Sequence, residues 1–286
     1  MSSFGYYRPG SLHDVLEFKE QKGDRARLLA GGSNLMVYLK ESAVSEGTLV
    51  DIFALPDLKG IRRNNETIEI GASEVIADLL GSAELRVSLP LLADALAHFA
   101  NPLVRARATI GGNIADASPI ADTVPPLLCM QATLTATNLR GEREIPLVEF
   151  FTGPNATVLR PDEVIRAVHV PVSAPGHGSF QKLGLRNGTS CSVTSVAVWL
   201  ETDGGRVKEI RIACGGVAPT PVRASQAEKA FRGCRVEQEA ILEASWSVQN
   251  DIRPISDVRA SAEYRREVTA RLLARAVRGA AGVPED

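Results

Sequence analysis

The stretch Ala108-Thr109-Ile110-Gly111-Gly112-Asn113-Ile114-Ala115-Asp116-Ala117-Ser118-Pro119-Ile120-Ala121-Asp122 decides how this chain reads. It has an upstream counterpart, Leu28-Leu29-Ala30-Gly31-Gly32-Ser33-Asn34-Leu35. Each sets a Gly-Gly pair and a hydroxyl residue beside an apolar segment. Glycine lets a backbone approach a ligand closely and adopt positive φ. Consecutive N–H groups then form a nest for an anion, with Ser33 and Thr109 adding hydroxyl donors. A helix N-terminus after the turn would favour the same negative charge. Two such turns, far apart in sequence, suit a pyrophosphate held from both sides. Either one alone is an ordinary turn.

Around these turns the pattern is mixed. Ser11-Leu12-His13-Asp14 reads as a capping box that opens a helix. Arg27 to Ala30 and Thr48 to Ile52 read as short buried strands. Ser33 reads as the cap of a helix carrying Leu35, Met36 and Leu39. Thr67 to Ile70, Ala132 to Asn138 and Val164 to Val170 alternate as half-buried strands do. Helical patterns fall at about 73–80 and 90–100, and 105–115 reads as a polar, glycine-centred turn. Pro171 to Gly178, rich in proline and glycine, reads as a linker. Beyond it, Ser192–Leu200 and Arg206–Ala213 predict a hairpin joined by Asp203-Gly204-Gly205. Helices are expected at about 224–232, 237–249 and 257–279. The last is rich in arginine. Asp257, Glu263 and Glu267 interrupt it, which makes it a solvated or subunit-facing surface rather than a nucleic-acid or lipid patch. The fold class is α+β, with a larger N-terminal part to about residue 172.

Composition excludes several classes. A chain of 286 residues, 44% hydrophobic and 23% charged, is ordinary globular usage and suggests about two domains. A net charge of −2 gives no bulk attraction to nucleic acid. The four cysteines, Cys129, Cys191, Cys214 and Cys234, lack the close spacing of a zinc or iron–sulfur site. They read as mostly buried, inert thiols of a cytoplasmic protein. No secretory leader or membrane-spanning run is visible. The nicotinamide, P-loop and nucleophile-elbow patterns are absent. His13, His98, His169 and His177 have no metal-ligand spacing, and no carboxylate pair stands out for acid–base work.

Taken together, the run Ala108 to Asp122 closely resembles the signature of the FAD-binding medium subunit of the molybdenum hydroxylases. That family includes xanthine dehydrogenase, carbon monoxide dehydrogenase and hydroxybenzoyl-CoA reductase. Leu29 to Leu35, Tyr7-Arg8-Pro9 and Leu49 to Ile52 extend the resemblance, as does Gly215-Gly216-Val217-Ala218-Pro219-Thr220-Pro221-Val222-Arg223-Ala224. Nearly the whole chain is covered. The resemblance implies a two-part FAD-binding domain of the vanillyl-alcohol-oxidase (PCMH) type over 1–172, with subdomains of about 1–55 and 56–172. A small C-terminal domain of sheet plus helices, of the CO dehydrogenase flavoprotein type, follows over 173–286.

The resemblance also implies roles. Leu29, Ala30, Gly31, Gly32, Ser33, Asn34 and Leu35 would cradle the FAD pyrophosphate together with Thr109, Ile110, Gly111, Gly112 and Asn113. Phe99 would lie against the cofactor, Asp122 would contact the flavin nucleotide, Ile165 would line the adenine side and Lys182 would sit near the flavin. Without the family these last four read as a core aromatic, an N-cap, a core residue and a solvated lysine. The implied reaction is electron transfer from a molybdopterin-binding large subunit, through a small subunit with 2Fe–2S clusters, to FAD and then to NAD or another acceptor. The redox chemistry belongs to the flavin, so no catalytic acid or nucleophile is required of the chain.

Two departures stand out. Leu103-Val104-Arg105-Ala106 keeps the arginine of the family's usual Gln-Ile/Val-Arg-Asn but not the polar residues beside it. Arg186-Asn187-Gly188-Thr189-Ser190-Cys191-Ser192 lacks the acid that many members carry there. Nothing matches the cysteine-rich insertion of some members. A stand-alone oxidoreductase of the UDP-N-acetylmuramate reductase type is the alternative within flavoenzymes, and a scaffold that has lost FAD is the alternative outside them.

Overall fold

The computed structural model describes residues 4–41, 47–172, 176–186 and 190–284. Near the N-terminus, Ser11 caps the helix Leu12–Lys22 in the expected capping box, its hydroxyl accepting from the Asp14 N–H. That helix carries the chain between parallel strands. The resulting three-stranded sheet has the order Gly5–Tyr7, Thr48–Asp51, Ala26–Leu29. Val15, Leu16, Ala26 and Val50 form its core with Leu55, Leu58 and Val164.

A second sheet is antiparallel, in the order Ile61–Asn64, Thr67–Gly71, Val164–Pro171, Thr133–Asn138, Gly141–Pro146. Ile68 and Ile70, two residues apart and so on one face, are fully buried. They share a core with Leu92 and Leu96 of the helix Pro90–Ala97 and with Leu127 and Leu128 of the helix Val124–Cys129.

The third sheet runs His177–Gly184, Ser192–Asp203, Arg206–Gly215, Val222–Arg223. Its hairpin forms at the expected turn. Every residue from Ser192 to Leu200 is buried, because the sheet is covered on both faces. Ala197, Trp199 and Ala213 join the core of the preceding sheet and its helices. Val196, Val198, Ile212 and Cys214 pack instead with Leu273, Ala276 and Val277 of the helix Ala262–Ala281. A strand buried on both faces reads as a continuous apolar run, and Val196 to Leu200 show it, while Ser192, Thr194 and Ser195 before them are buried polar residues.

Several local expectations change. The helix Leu35–Lys40 begins after Asn34, and neither Ser33 nor Asn34 supplies a capping bond. Residues 110–115 are a helical turn capped by Thr109 rather than an open loop. The last helix starts at Ala262, because residues 251–261 include no helix and Ser261 caps it. The proposed linker passes through 173–175, which lie outside the described residues.

The arginine-rich helix also departs from a purely solvated surface. Arg271 does pair with Glu267 in solvent. Arg265, however, is buried, donating to the carbonyls of Val193 and Gly216 and to Asp257. Burial works to raise the Asp257 carboxyl, but the Arg259 N–H, the Arg265 guanidinium and the Ala260 N–H hold it at about 2. A carboxyl held low in the folded state stabilises above its unfolded value, and that stability is lost as pH falls through the folded value. Thermal midpoints should therefore drop between about pH 4 and pH 2. Asp257→Asn should be less stable at neutral pH and lack that part of the acid step. An unchanged acid profile in the variant would count against the assignment.

Candidate functional site

A cavity of about 540 Å³ opens where the three-stranded sheet, the five-stranded sheet and the connection before the strand Ser192–Asp203 meet. That is within the usual range for small-molecule and cofactor sites. Both glycine turns line it. Ala30 to Leu35 form one wall, and Thr109 and Gly111 to Asn113 form another. Leu28, Ile52, Leu159, Val164 and Ile165 supply apolar surface, while Phe99, Asp122, Ser190 and Cys191 lie on it elsewhere.

The two turns touch each other. A Cβ on Gly31 would lie 1.8 Å from the Arg107 carbonyl oxygen, so only glycine allows this approach. Gly32 takes the left-handed conformation, with φ of 72°. The N–H groups of Gly32, Ser33, Asn34 and Leu35 have no acceptor among the described residues. Four neighbouring donors without partners beside a cavity are what an anion nest requires.

The second turn behaves differently from the expected matching nest. Its N–H groups are already used: Ile110 donates to Glu74 O (3.0 Å) and Gly111 to Ala72 O (2.9 Å). Gly112 donates to Thr109 Oγ1 at 3.1 Å, and Asn113 to Thr109 O at 2.9 Å. Helix capping and pairing of Val75 with Thr109 use these groups. What the turn offers the cavity is a bare surface at Gly112 and the Asn113 amide. Buried Thr123 donates to Asn113 Oδ1 at 2.6 Å, which leaves the amide nitrogen free to donate.

Three sequence-selected residues stand behind the wall rather than on it. Leu29 backs Gly32, and Ile110 is fully buried in the core. Lys182 is half-buried beside the site, its Nζ 2.5 Å from Asp122 Oδ2 and 3.2 Å from the His98 carbonyl. Ser192 donates to Asp122 Oδ1 at 2.5 Å. Burial pushes the Asp122 carboxyl up, against the pull of Lys182 and Ser192. Lys182 thus reaches the cavity through Asp122, and both of its partner segments must dock for the pair to form.

Arg105 explains itself here. Its Nε donates to the Phe99 carbonyl at 2.5 Å and its Nη2 to Ala97 O at 2.9 Å, tying down the end of the helix that presents Phe99. Glu163 lines the cavity with its carboxylate already bonded to Arg143 at 2.7 and 2.8 Å. The Arg143 hydrogen bond holds that carboxyl below its ordinary value against the opposing pull of burial.

The cysteines only partly meet expectation. Cys129 and Cys214 are buried, and burial pushes the Cys129 thiol up to about 12. Cys191 is exposed on the cavity wall, because it lies in the connection before the strand Ser192–Asp203. The flagged segment 186–192 is described only in part, since 187–189 lie outside the described residues. Sequence reasoning assigned no role to Tyr38, Asp116, Glu163 or Ser192. Asp116 sat inside the diagnostic run, but nothing in sequence showed what it would touch.

Comparison with known proteins defines the class first. Residues 2–173 match the FAD binding domain in molybdopterin dehydrogenase, and residues 179–280 match the CO dehydrogenase flavoprotein C-terminal domain. The chain belongs to the FAD-binding medium-subunit family of the molybdenum hydroxylases, and is an oxidoreductase subunit of that kind. It is 34% identical to the carbon monoxide dehydrogenase medium chain of Hydrogenophaga pseudoflava, over 97% of this chain and 96% of that one. It is 32% identical to the xanthine dehydrogenase FAD-binding subunit of Escherichia coli O157:H7, over 97% of each. Among solved structures, carbon monoxide dehydrogenase from Hydrogenophaga pseudoflava superposes with a TM-score of 0.94, covering 99% of this chain and 98% of that one at 34% identity. Quinoline 2-oxidoreductase from Pseudomonas putida 86 gives 0.94 at 27% identity, covering 98% of each. The fold is therefore the mixed helix-and-sheet flavoprotein architecture that the resemblance implied. No described helix is long and apolar enough to cross a membrane.

Proposed function

We infer that this chain holds FAD in the cavity described above and passes electrons between an iron–sulfur subunit and NAD or another acceptor. The observation that carries this reading is the row of four unpartnered N–H groups from Gly32 to Leu35 beside the cavity. A dinucleotide's diphosphate would take those donors. Asn113 and the bare surface at Gly112 would close the other side. Ile165 and its apolar neighbours suit an adenine, while Phe99 and the Asp122–Lys182 pair suit the flavin. Leu29 and Ile110 would support the two turns from behind. When bound, FAD supplies the ability to accept and release electrons one or two at a time. The chain binds it, orients it and sets the charge around it.

In this reading residues 1–172 form the FAD-binding domain and 173–286 the C-terminal domain. The partners are a molybdopterin-binding large subunit and a small subunit with 2Fe–2S clusters, assembled in the cytoplasm. The test is to produce the chain alone and with its genomic neighbours, then record visible flavin absorbance and co-purifying metals. Yellow protein that carries molybdenum and iron with its partners is expected. A colourless protein with no FAD affinity would sink the reading. FAD with no molybdenum or iron partner would favour a stand-alone enzyme instead.

Gly112→Val gives a sharper check. Gly112 is exposed at the cavity, and a Cβ there would meet only the Thr109 side chain, at 2.7 Å. The expected result is a folded chain with little or no flavin. Normal flavin content in that variant would show that this turn does not face the phosphates.

A further inference from the structure

Of the three acids on the cavity wall, Asp122 pairs with Lys182 and Glu163 with Arg143, whereas Asp116 has no cation beside it among the described residues. Asp116 ends the helix Ile110–Ala115 and lines the cavity. A bare carboxylate at that place would repel a diphosphate. Both of its oxygens are taken by the chain itself. Oδ2 accepts from Asn34 Nδ2 at 2.8 Å, and Oδ1 accepts from the Tyr38 hydroxyl at 3.1 Å. The Asp116 carbonyl accepts from Asn155 Nδ2 at 2.8 Å, and the Asn155 N–H donates to the Ala117 carbonyl at 3.0 Å. The first glycine turn, the helix after it, the end of the second turn's helix and the tip of the hairpin Phe151–Thr157 therefore meet at one residue. Ala117 and Asn155 both adopt left-handed backbone, with φ of 48° and 54°. Such conformations persist only where surrounding contacts over-determine them.

The geometry points to Asp116 as the positioning residue that fixes the first glycine turn, so that the N–H groups of Gly32 to Leu35 face the cavity before any ligand arrives. The inference rests on the FAD reading, in which the anion is the dinucleotide's diphosphate. A turn containing Gly31-Gly32 has wide conformational freedom. Drawing the Asn34 side chain towards Asp116 restrains it and leaves the Asn34 backbone N–H as that residue's contribution to a ligand. Ordering paid for during folding is not charged again on binding. Tyr38 suits the role of donor, since burial and the nearby Asp116 charge raise its phenol and keep it protonated.

The test uses the purified complex, stripped of flavin and titrated with FAD while flavin fluorescence is followed. Asp116→Ala is expected to weaken FAD about tenfold, mainly by slowing association, because the turn must then be ordered on binding. Asp116→Asn is expected to stay within about threefold of the parent, because its amide oxygen can accept from Asn34 while its nitrogen donates to Tyr38. Tyr38→Phe removes one oxygen and should weaken FAD about threefold, but should add nothing further in the Asp116→Ala background. Parental affinity in Asp116→Ala overturns the inference, and so does an Asp116→Asn variant as weak as Asp116→Ala. If Asp116→Ala is insoluble, parental affinity in Tyr38→Phe overturns it. Failure of the parent complex to take up FAD is a different result, because it removes the cofactor reading itself.

Discussion

Gly31→Val is expected to yield protein with little or no bound flavin. The Cβ it adds would sit 1.8 Å from the Arg107 carbonyl oxygen and 2.5 Å from its carbon. Both are backbone atoms, so no rotamer change relieves the clash, and the two turns must separate. Overpacking of this kind costs about 1–3 kcal/mol. If the whole cost falls on the closed arrangement of the turns, affinity drops roughly 5- to 150-fold, and valine belongs at the upper end. The ratio of flavin to protein absorbance reads this directly. Gly81→Ala is the matched control. Gly81 is exposed at the end of the helix Ile76–Gly81, and its Cβ would meet nothing within 4 Å. That variant should keep its flavin and gain up to about 1 kcal/mol of stability from better helix propensity. Full flavin content in Gly31→Val would mean that contact between the turns does not shape the site.

Lys182→Met should be the most damaging single change at the other side of the cavity. It leaves the buried Asp122 carboxylate without its cation. Removing one partner of a buried pair typically costs about 3–5 kcal/mol while the remaining group is charged. Burial already pushes Asp122 up, and Lys182 is the larger of the forces that oppose it. With Lys182 gone the carboxyl rises further. A carboxyl that binds its proton more tightly folded than unfolded stabilises most below its unfolded value of about 4, and that stability is lost as pH rises through the elevated folded value. The variant should therefore melt closer to the parent at pH 5 than at pH 8. Adding Asp122→Asn should remove most of that difference, because no buried charge is left to protonate. A Lys182→Met protein whose stability relative to the parent does not change with pH would show that Asp122 is reached by water and not held by the lysine.

These two cases mark how far sequence could be read. Gly-Gly beside an apolar strand signalled a close backbone approach, and in structure Gly31 does approach a backbone. The surface it approaches is the other turn, whose neighbouring residues lie about 75 positions away in sequence. Hydroxyl residues next to glycine suggested two equivalent nests. The structure makes them unequal, since pairing with residues 72–75 and the Thr109 cap consume the donors of the second. Local sequence shows which groups a turn carries. It does not show which of them are used elsewhere, because that depends on neighbours brought in by folding.

Lys182 and Asp122 make the same point for charge. Each was legible as a residue type in a family position, but their pairing depends on the third sheet docking its edge strand against the helix Pro90–Ala97. Asp94 accepts from the Phe180 N–H at 2.8 Å, and Lys182 donates to the His98 carbonyl, to hold that contact. Arg265 looked like one more surface arginine on a charged helix. It is buried because two strand-end carbonyls and Asp257 accept from its two terminal nitrogens, while its Nε has no partner among the described residues. A paired charge can be buried where a bare one cannot.

By itself, the sequence determined the class of fold, the hairpin of the third sheet, the N-terminal capping box and the glycine runs that carry the family signature. All of these follow from local periodicity, turn chemistry and short motifs, which act over a few residues. Only the tertiary structure decided which N–H groups remain free, which acid is neutralised by which base and that Asp116 joins four segments at the cavity wall. Those outcomes depend on long-range packing, where a group's chemistry is set by what lies beside it in space rather than by its neighbours in the chain.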